Sequence, residues 1–314
     1  DSGIYILNFN TINQSNLFKH MKKIFYFAVA MSIAVFASCE KQGGKEDEKE
    51  ATKVTVAEDA LVLHLPFEDG SVAVGEGVTF ASKEGKAELV EGFIGKAYTN
   101  TSGDAKEAGY LKYNLAATNC INSLKSFTFS AWVKRPALGS GTFFSVNGGE
   151  HDWGSTMQFF FDNTGVGEDG ATYQQFNARI DSYKQGEDGN KFQASCWPNV
   201  QGPEFAKIDE WFHVARTYDA ATGAWKVYVD GVQTHDGVHE FGDPAGPFGD
   251  LDLTSPTMNA LYIGGWAAII DGVNNQDWMT FFNGSVDEVR MYNRALTDQE
   301  IGQLWQQEKL INLE

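Results

Sequence analysis

The stretch His235-Asp-Gly-Val-His239 sets two imidazoles at the i, i+4 spacing that holds zinc when it falls on a helix. Here Gly237 interrupts the spacing, β-prone residues precede it, and aspartate stands where a zinc-dependent hydrolase needs a glutamate base. The segment therefore reads as a polar loop after a hairpin. Asp287-Glu288 is the nearest approach to an acid pair within a β-rich segment. Glycoside hydrolysis needs two carboxyls about 5–9.5 Å apart across a cleft, and neighbours on a strand point to opposite faces. His213, between Phe212 and Val214, reads as a packed sheet residue rather than a base. Neither a Gly-x-Ser-x-Gly elbow nor a Gly-x-x-x-x-Gly-Lys phosphate loop occurs. The tryptophans divide into two groups. Trp132, Trp211, Trp225 and Trp305 lie in segments that read as strand or helix, where a core role explains them. Trp153, Trp197, Trp266 and Trp278 lie in or beside loop-like stretches, with His151, Asp152, Asn199 and the run Asn274-Asn275-Gln276-Asp277. An aromatic face beside amides and carboxylates suits a sugar, whose C–H face stacks on the ring while its hydroxyls take hydrogen bonds. Such rings equally well pin long loops to a body. Trp153, Trp197 and Trp278 are the candidate ligand-binding residues.

Cys39 poses a different chemistry. Met21-Lys22-Lys23 gives a basic start, and Ile24 to Ala37 is an apolar run broken only by Ser32. That is the layout of an export signal, too short for comfort as a membrane-spanning helix, which needs about 20 apolar residues. Ala37-Ser38-Cys39 resembles the lipobox of bacterial lipoproteins, in which the cysteine is acylated and becomes the new N-terminus. Phe36 stands where a smaller aliphatic residue is usual. Residues 1–20 then read as an upstream translated segment, 21–38 as the signal peptide and 39–53, rich in Gly, Lys, Glu and Asp, as a flexible acidic tether. Glu40 and Glu46-Asp47-Glu48 resemble the surface-export signals of some Gram-negative lipoproteins. The expected location is the outer membrane, with the protein held through Cys39 and exposed at the cell surface. Cys120 and Cys196 would be exported too, and their pairing is left open. With 24 basic and 42 acidic residues, a net charge of −18, the chain repels phosphate backbones, so nucleic acid is not an expected partner.

The elements that must position these residues are strands. Ala60 to Leu65, Phe127 to Val133, Phe212 to Tyr218, Trp225 to Val229, Leu261 to Ile263 and Val286 to Tyr292 are short and β-rich. Asp230-Gly231 between β runs marks a hairpin. Thr297-Asp-Gln-Glu300 is a capping box, and Ile301, Leu304 and Trp305 share one face of the helix it starts, from Asp298 to about Glu308. The stretches Asn147 to Pro203 and Glu240 to Phe282 are longer than hairpin connections require and read as extended loops. The fold class is all-β, a two-sheet antiparallel sandwich with a short C-terminal helix.

Several segments in order carry a family resemblance: Phe127-Thr-Phe-Ser-Ala-Trp-Val, Trp211-Phe-His-Val-Ala, Lys226-Val-Tyr-Val-Asp-Gly231, Leu261-Tyr-Ile-Gly-Gly265 and Gly284-Ser-Val-Asp-Glu-Val-Arg-Met-Tyr-Asn-Arg-Ala-Leu296. Leu65-Pro-Phe-Glu-Asp-Gly70, Gly92-Phe-Ile-Gly-Lys-Ala97 and Gly109-Tyr-Leu-Lys-Tyr113 extend it towards the N-terminus. Together they resemble the LamG-like jelly-roll family of the concanavalin A-like lectin/glucanase superfamily. The resemblance implies one jelly-roll domain over residues 54–314. It also implies a structural calcium ion held by Glu68 and Asp287, with Glu68 replacing the more usual aspartate. Calcium needs six to eight oxygens, so carbonyls and Asp69 or Glu288 would have to complete its shell. Retaining glucanases of the superfamily carry Glu-x-Asp-x-x-Glu on one strand, and no such spacing occurs here. The expected function is non-catalytic binding of a glycan or other extracellular ligand. A protein-interaction or envelope-assembly module, and a glycoside hydrolase with an unrecognised acid pair, are the alternatives.

Overall fold

The computed structural model describes residues 53–102, 104, 106–148, 154–185, 191–196, 199–242, 244–255, 257–274 and 280–313, the side chains of 191–193 and 195–196 excepted. By contact the chain divides into Asp1–Glu50, outside the described residues, and Ala51–Glu314. In chain order the strands are β1 (Leu61–Leu65), β2 (Val74–Gly75), β3 (Val78–Gly85), β4 (Ala87–Glu91), β5 (Lys96–Asn100), β6 (Gly109–Leu115), β7 (Phe127–Lys134), β8 (Gly141–Asn147), β9 (Ser155–Val166) and β10 (Thr172–Gln185). They continue as β11 (Lys191–Cys196), β12 (Asn199–Gly202), β13 (Phe212–Tyr218), β14 (Ala224–Val229), β15 (Val232–Val238), β16 (Glu240–Phe241), β17 (Gly246–Pro247), β18 (Ala260–Ile263) and β19 (Ser285–Tyr292). Two α-helices are described, α1 (Ala267–Ile270) and α2 (Asp298–Asn312).

The strands form two large antiparallel sheets, apart from β16 and β17, which pair only with each other. Sheet A runs β15-β14-β13-β7-β19-β1-β2, with β5 joined to β19 and β4 to β5; sheet B runs β11-β10-β9-β8-β18-β6-β3, with β12 joined to β10. Alternation along each strand explains why they face each other. Phe127, Phe129, Ala131 and Val133 of β7 and Met157, Phe159 and Phe161 of β9 lie in one buried core between the sheets. Phe129 stacks on Phe159 at 3.9 Å between centroids, and each such ring contributes about 1.5–3 kcal/mol on burial. Asp230 (φ 49) and Gly231 (φ 76) both take positive φ, the backbone that a two-residue turn between twisted strands requires.

The stretch 147–203, read from sequence as an extended loop, is largely sheet. β9 and β10 pair from Thr172↔Val166 to Ile180↔Met157, and β11 and β12 add to the other edge of β10. Helix α2 covers the outer face of sheet A, where Ile301 and Leu304 pack with Ala215, Tyr228, Tyr292 and the entering residues Val56 and Ala60. Its capping box is formed as the sequence predicts: Thr297 Oγ1 accepts from the Glu300 amide at 3.2 Å, and Glu300 Oε2 accepts from the Thr297 amide at 2.8 Å.

Candidate functional site

On the outer face of sheet B, strand register assembles residues distant in sequence into rows. One row crosses six strands: Ser82, Lys112, Tyr262, Ser145, Gln158 and Arg179. The next places Thr142, Phe160, Asn177 and Asn199 side by side. These positions alternate with the core residues of their strands, so a solvent-facing polar surface is expected. Instead Thr142, Ser145, Gln158, Asn177, Arg179 and Asp181 are almost fully buried.

Part of the cover is α1. Ser145 Oγ donates to the Gly265 carbonyl at 2.7 Å and accepts from the Ala267 amide at 3.1 Å, while Tyr262 OH donates to Asp271 at 2.5 Å. Asn147 Nδ2 donates to the same carboxylate, and its Oδ1 accepts from the Asn259 and Ala260 amides. Gly154 makes the approach possible: at φ +60, a Cβ there would lie 2.9 Å from Ala268 Cβ. Trp266 packs its ring 5.4 Å from Phe160.

Towards β10 the floor becomes charged and amide-rich. Arg179 Nε donates to Asp181 Oδ1 at 3.1 Å, an ion pair shielded from water on both sides. Beside it, Gln158 Nε2 and Oε1, Asn177 Oδ1 and Thr142 Oγ1 have no hydrogen-bond partner among the described residues. A buried polar atom left so costs about 1–3 kcal/mol, and four such atoms gather on this face. Sequence reasoning missed these residues. Their signal was the alternation Phe176-Asn-Ala-Arg-Ile-Asp181, which marks a two-faced strand but not that both faces are buried.

The other candidates divide. Trp153, Trp197 and Trp278, and Cys39, lie outside the described residues. In the chain, Trp153 stands two residues before β9, Trp197 between β11 and β12, and Trp278 shortly before Phe281, whose backbone bridges to Thr142. Trp266 is buried, as is Trp132, which packs on the outer face of sheet A with its ring stacked 3.5 Å from Phe93. His235 lies on β15, a strand, so it and His239 form no helical zinc pair; His239 packs against Phe248 instead. His213 is wholly buried, and burial pushes its imidazole down to about 3. Cys120 is a free, buried thiol.

Glu68 and Asp287 do come together, on opposite sides of one turn. Asp287 Oδ2 accepts from the Phe93 and Ile94 amides at 2.8 and 2.9 Å, its Oδ1 accepts from the Glu288 amide at 2.7 Å, and Glu68 Oε1 accepts from the Lys96 amide at 2.7 Å. Burial, then the neighbouring Glu288, pushes the Asp287 carboxyl up to about 8, against the pull of those amides. Asp69, a possible further ligand, binds Lys96 Nζ at 3.1 Å. The amides of the turn thus engage both oxygens of Asp287 and Oε1 of Glu68, and a calcium ion, which needs six to eight oxygens, would have to share these acceptors with the turn. No group of three or more His, Cys, Asp or Glu side chains among the described residues is arranged to hold a metal.

A family model described as the concanavalin A-like lectin/glucanases superfamily matches residues 107–302. This chain belongs to that superfamily. The match begins just before β6 and ends within α2, so it takes in every strand of the candidate site except β3. Solved structures similar to this lectin/glucanase-type chain include the botulinum neurotoxin serotype D/C binding domain, at 14% identity and TM-score 0.50, with 80% of this chain and 52% of that one covered. The serotype C1 binding domain is similar at 14% identity and TM-score 0.50, with coverage of 79% and 52%. Domain 4 of AbnA, an extracellular arabinanase from Geobacillus stearothermophilus, in complex with arabinotriose, is similar at 23% identity and TM-score 0.42, with coverage of 78% and 98%. This chain thus spans about half the length of the neurotoxin binding domains. At such identities the likeness concerns the fold alone. No curated protein matches the chain.

Proposed function

We propose that this protein is a surface-tethered lipoprotein whose single domain binds a glycan without cleaving it, on the outer face of sheet B. The observation that carries the binding site is the polar floor of Thr142, Gln158 and Asn177, whose side-chain atoms lack a hydrogen-bond partner among the described residues, beside the Arg179–Asp181 ion pair. Hydroxyl groups of a sugar are the complement such amides need, and Trp153, Trp197 and Trp278 lie close in sequence to the strands that carry the floor. Superfamily membership supports the same reading. Binding is favoured over hydrolysis because of the described carboxylates: Asp271, beside α1, is already engaged by Tyr262 and Asn147, and the two on the β9–β10 hairpin stand far apart. On this face of the β9–β10 hairpin, Asp162 pairs in register with Gln175, six residues along β10 from Asp181. That is about 20 Å at ~3.4 Å per residue, well beyond the span of a hydrolytic pair.

A glycan array probed with the purified protein, followed by prolonged incubation with each hit, tests the reading. Binding that leaves the glycan intact and weakens in Gln158→Ala and Asn177→Ala supports it; released sugar makes the protein an enzyme, and an empty array with a co-purifying envelope protein favours an assembly module. The tether is tested separately: Cys39→Ser should move the protein from the membrane to the soluble fraction.

A further inference from the structure

We infer that the glycan is read on the open side of α1, at Tyr110 and Lys112 of β6, and that Tyr110 stacks against a pyranose ring. This rests on the reading of sheet B as the glycan-binding face and concerns which part of that face touches the sugar and what ring it takes. The row Ser82, Lys112, Tyr262, Ser145, Gln158 and Arg179 changes character across the sheet. From Tyr262 to Arg179 every side chain is buried, whereas Lys112 and Ser82 are partly exposed. A dissolved ligand therefore meets the end of the row carried by β6 and β3, not the covered part.

At that end the outward residues of β6 are Tyr110, Lys112 and Asn114, since Leu111, Tyr113 and Leu115 face the core. Tyr110 is partly exposed and Asn114 exposed. The Tyr110 ring stands on other rings: Tyr262 meets it at 90° with centroids 5.7 Å apart, and Phe281 lies nearly parallel to it at 6.2 Å. A ring held this way has little freedom left to lose when a ligand settles on it. Register sets Glu84 opposite Tyr110 and Ser82 opposite Lys112. Burial, then Glu84 and Asp271, raise the Tyr110 phenol above its usual range, which fits a hydroxyl with both carboxylates nearby. Lys112 Nζ lies 5.9 Å from the Tyr262 ring and forms no ion pair among the described residues. It can only donate, Glu84 when ionised can only accept, and Ser82 and Asn114 do both. A fixed ring edged by donors and acceptors is the complement of a sugar, with C–H groups on its face and hydroxyls round its rim. A pyranose chair sets its axial C–H groups parallel and so presents a flat apolar face, which the puckered furanose ring lacks.

The test is calorimetry of the full-length protein with cellohexaose, xylohexaose, mannohexaose and, as the furanose comparison, arabinohexaose. At least one pyranose oligosaccharide should bind more tightly than arabinohexaose. Tyr110→Ala should weaken that binding at least ~10-fold, as loss of a stacked ring and its contact area would give. Tyr110→Phe, which keeps the ring, should bind much as the unaltered protein does. Lys112→Ala, at a partly exposed position outside the core, should weaken it about 5-fold, the worth of one hydrogen bond. Each variant is checked for native circular dichroism and an unchanged thermal midpoint. Pyranose binding that is unchanged in Tyr110→Ala and Lys112→Ala but lost in Asn177→Ala overturns the inference and leaves the sheet B face in place. An equal loss in Tyr110→Phe overturns stacking as the role of Tyr110, and tightest binding to arabinohexaose overturns the pyranose assignment. No binding by any of the four overturns the inference, and a glycan array that is empty as well overturns the glycan reading itself.

Discussion

Asp287 accepts three backbone hydrogen bonds and is wholly buried, so its side chain substitutes for strand pairing at the end of β19. The turn it grips is intolerant for a second reason. Gly95 sits at φ +56, and a Cβ there would lie 1.9 Å from Glu68 Oε1, which combines backbone strain with a clash. Asp287→Ala strands three amides and should destabilise by roughly 3 kcal/mol or more in urea titrations, whereas Asp287→Asn keeps an acceptor and should cost less. Because the carboxylates already serve amides, adding calcium or a chelator should leave the thermal midpoint unchanged. A rise with millimolar calcium that Asp287→Asn abolishes would mean that the cation displaces the amides. Residue identity in the closing motif was legible from sequence, but its partners were not: the contacts of Asp287 with Phe93 and Ile94 span almost 200 positions.

At the scale of elements, α2 is held by more than its apolar face. Glu308, wholly buried, accepts from the Trp132 indole N–H at 2.8 Å and pairs with Arg290, which also binds Glu288 at 2.5 Å. Burial acts against ionisation of Glu288, but Arg290 and His64, whose Nε2 lies 2.8 Å away, outweigh it and hold that carboxyl below its usual range. Burial pushes Glu308 the other way, up to about 7, with Arg290 opposing. Glu308→Ala leaves Arg290 and the indole short of a partner and should cost about 3–5 kcal/mol, read with the Trp132 environment by fluorescence. Thr297→Ala, which removes only the cap, should cost about 1 kcal/mol. The pH dependence follows from the sign of the Glu308 shift. The folded state keeps a proton that the unfolded chain has released above its ordinary value near 4.5, so stability falls as pH rises from there through about 7. The Glu308 contribution is read as the difference between the denaturation midpoints of the native protein and Glu308→Gln, which should narrow on acidification from pH 8 to pH 5; in the total, Asp287 acts in the same direction, while His213 and His64, held neutral by burial, oppose it below the ordinary histidine value near 6.5.

For the whole molecule, the sequence carried local devices well: the Asp230-Gly231 turn, the capping box and the alternating strands β7, β13 and β19 all form. It concealed β9 to β12, because glycine- and aspartate-rich turns such as Gly167 to Gly170 punctuate a region whose strands are stabilised mainly by each other. It concealed the candidate site for a related reason: Thr142, Gln158 and Asn177 become neighbours only through strand register, and burial of a polar face depends on what the rest of the fold lays over it. The same architecture bears on the tether proposed above. The chain enters the domain on the sheet A side, where the Thr55 amide donates to Gln307 Oε1 of α2 at 2.8 Å and Val56 joins the cluster beneath that helix. The polar floor is on the outer face of the opposite sheet, and packed sheets stand about 10 Å apart, so Thr55 and the floor lie on opposite sides of the sandwich. Protein coupled to vesicles through its N-terminal segment should therefore bind a soluble glycan with the affinity of free protein in surface plasmon resonance. A loss of ~10-fold or more on coupling would place the binding surface on the sheet A side, beside α2.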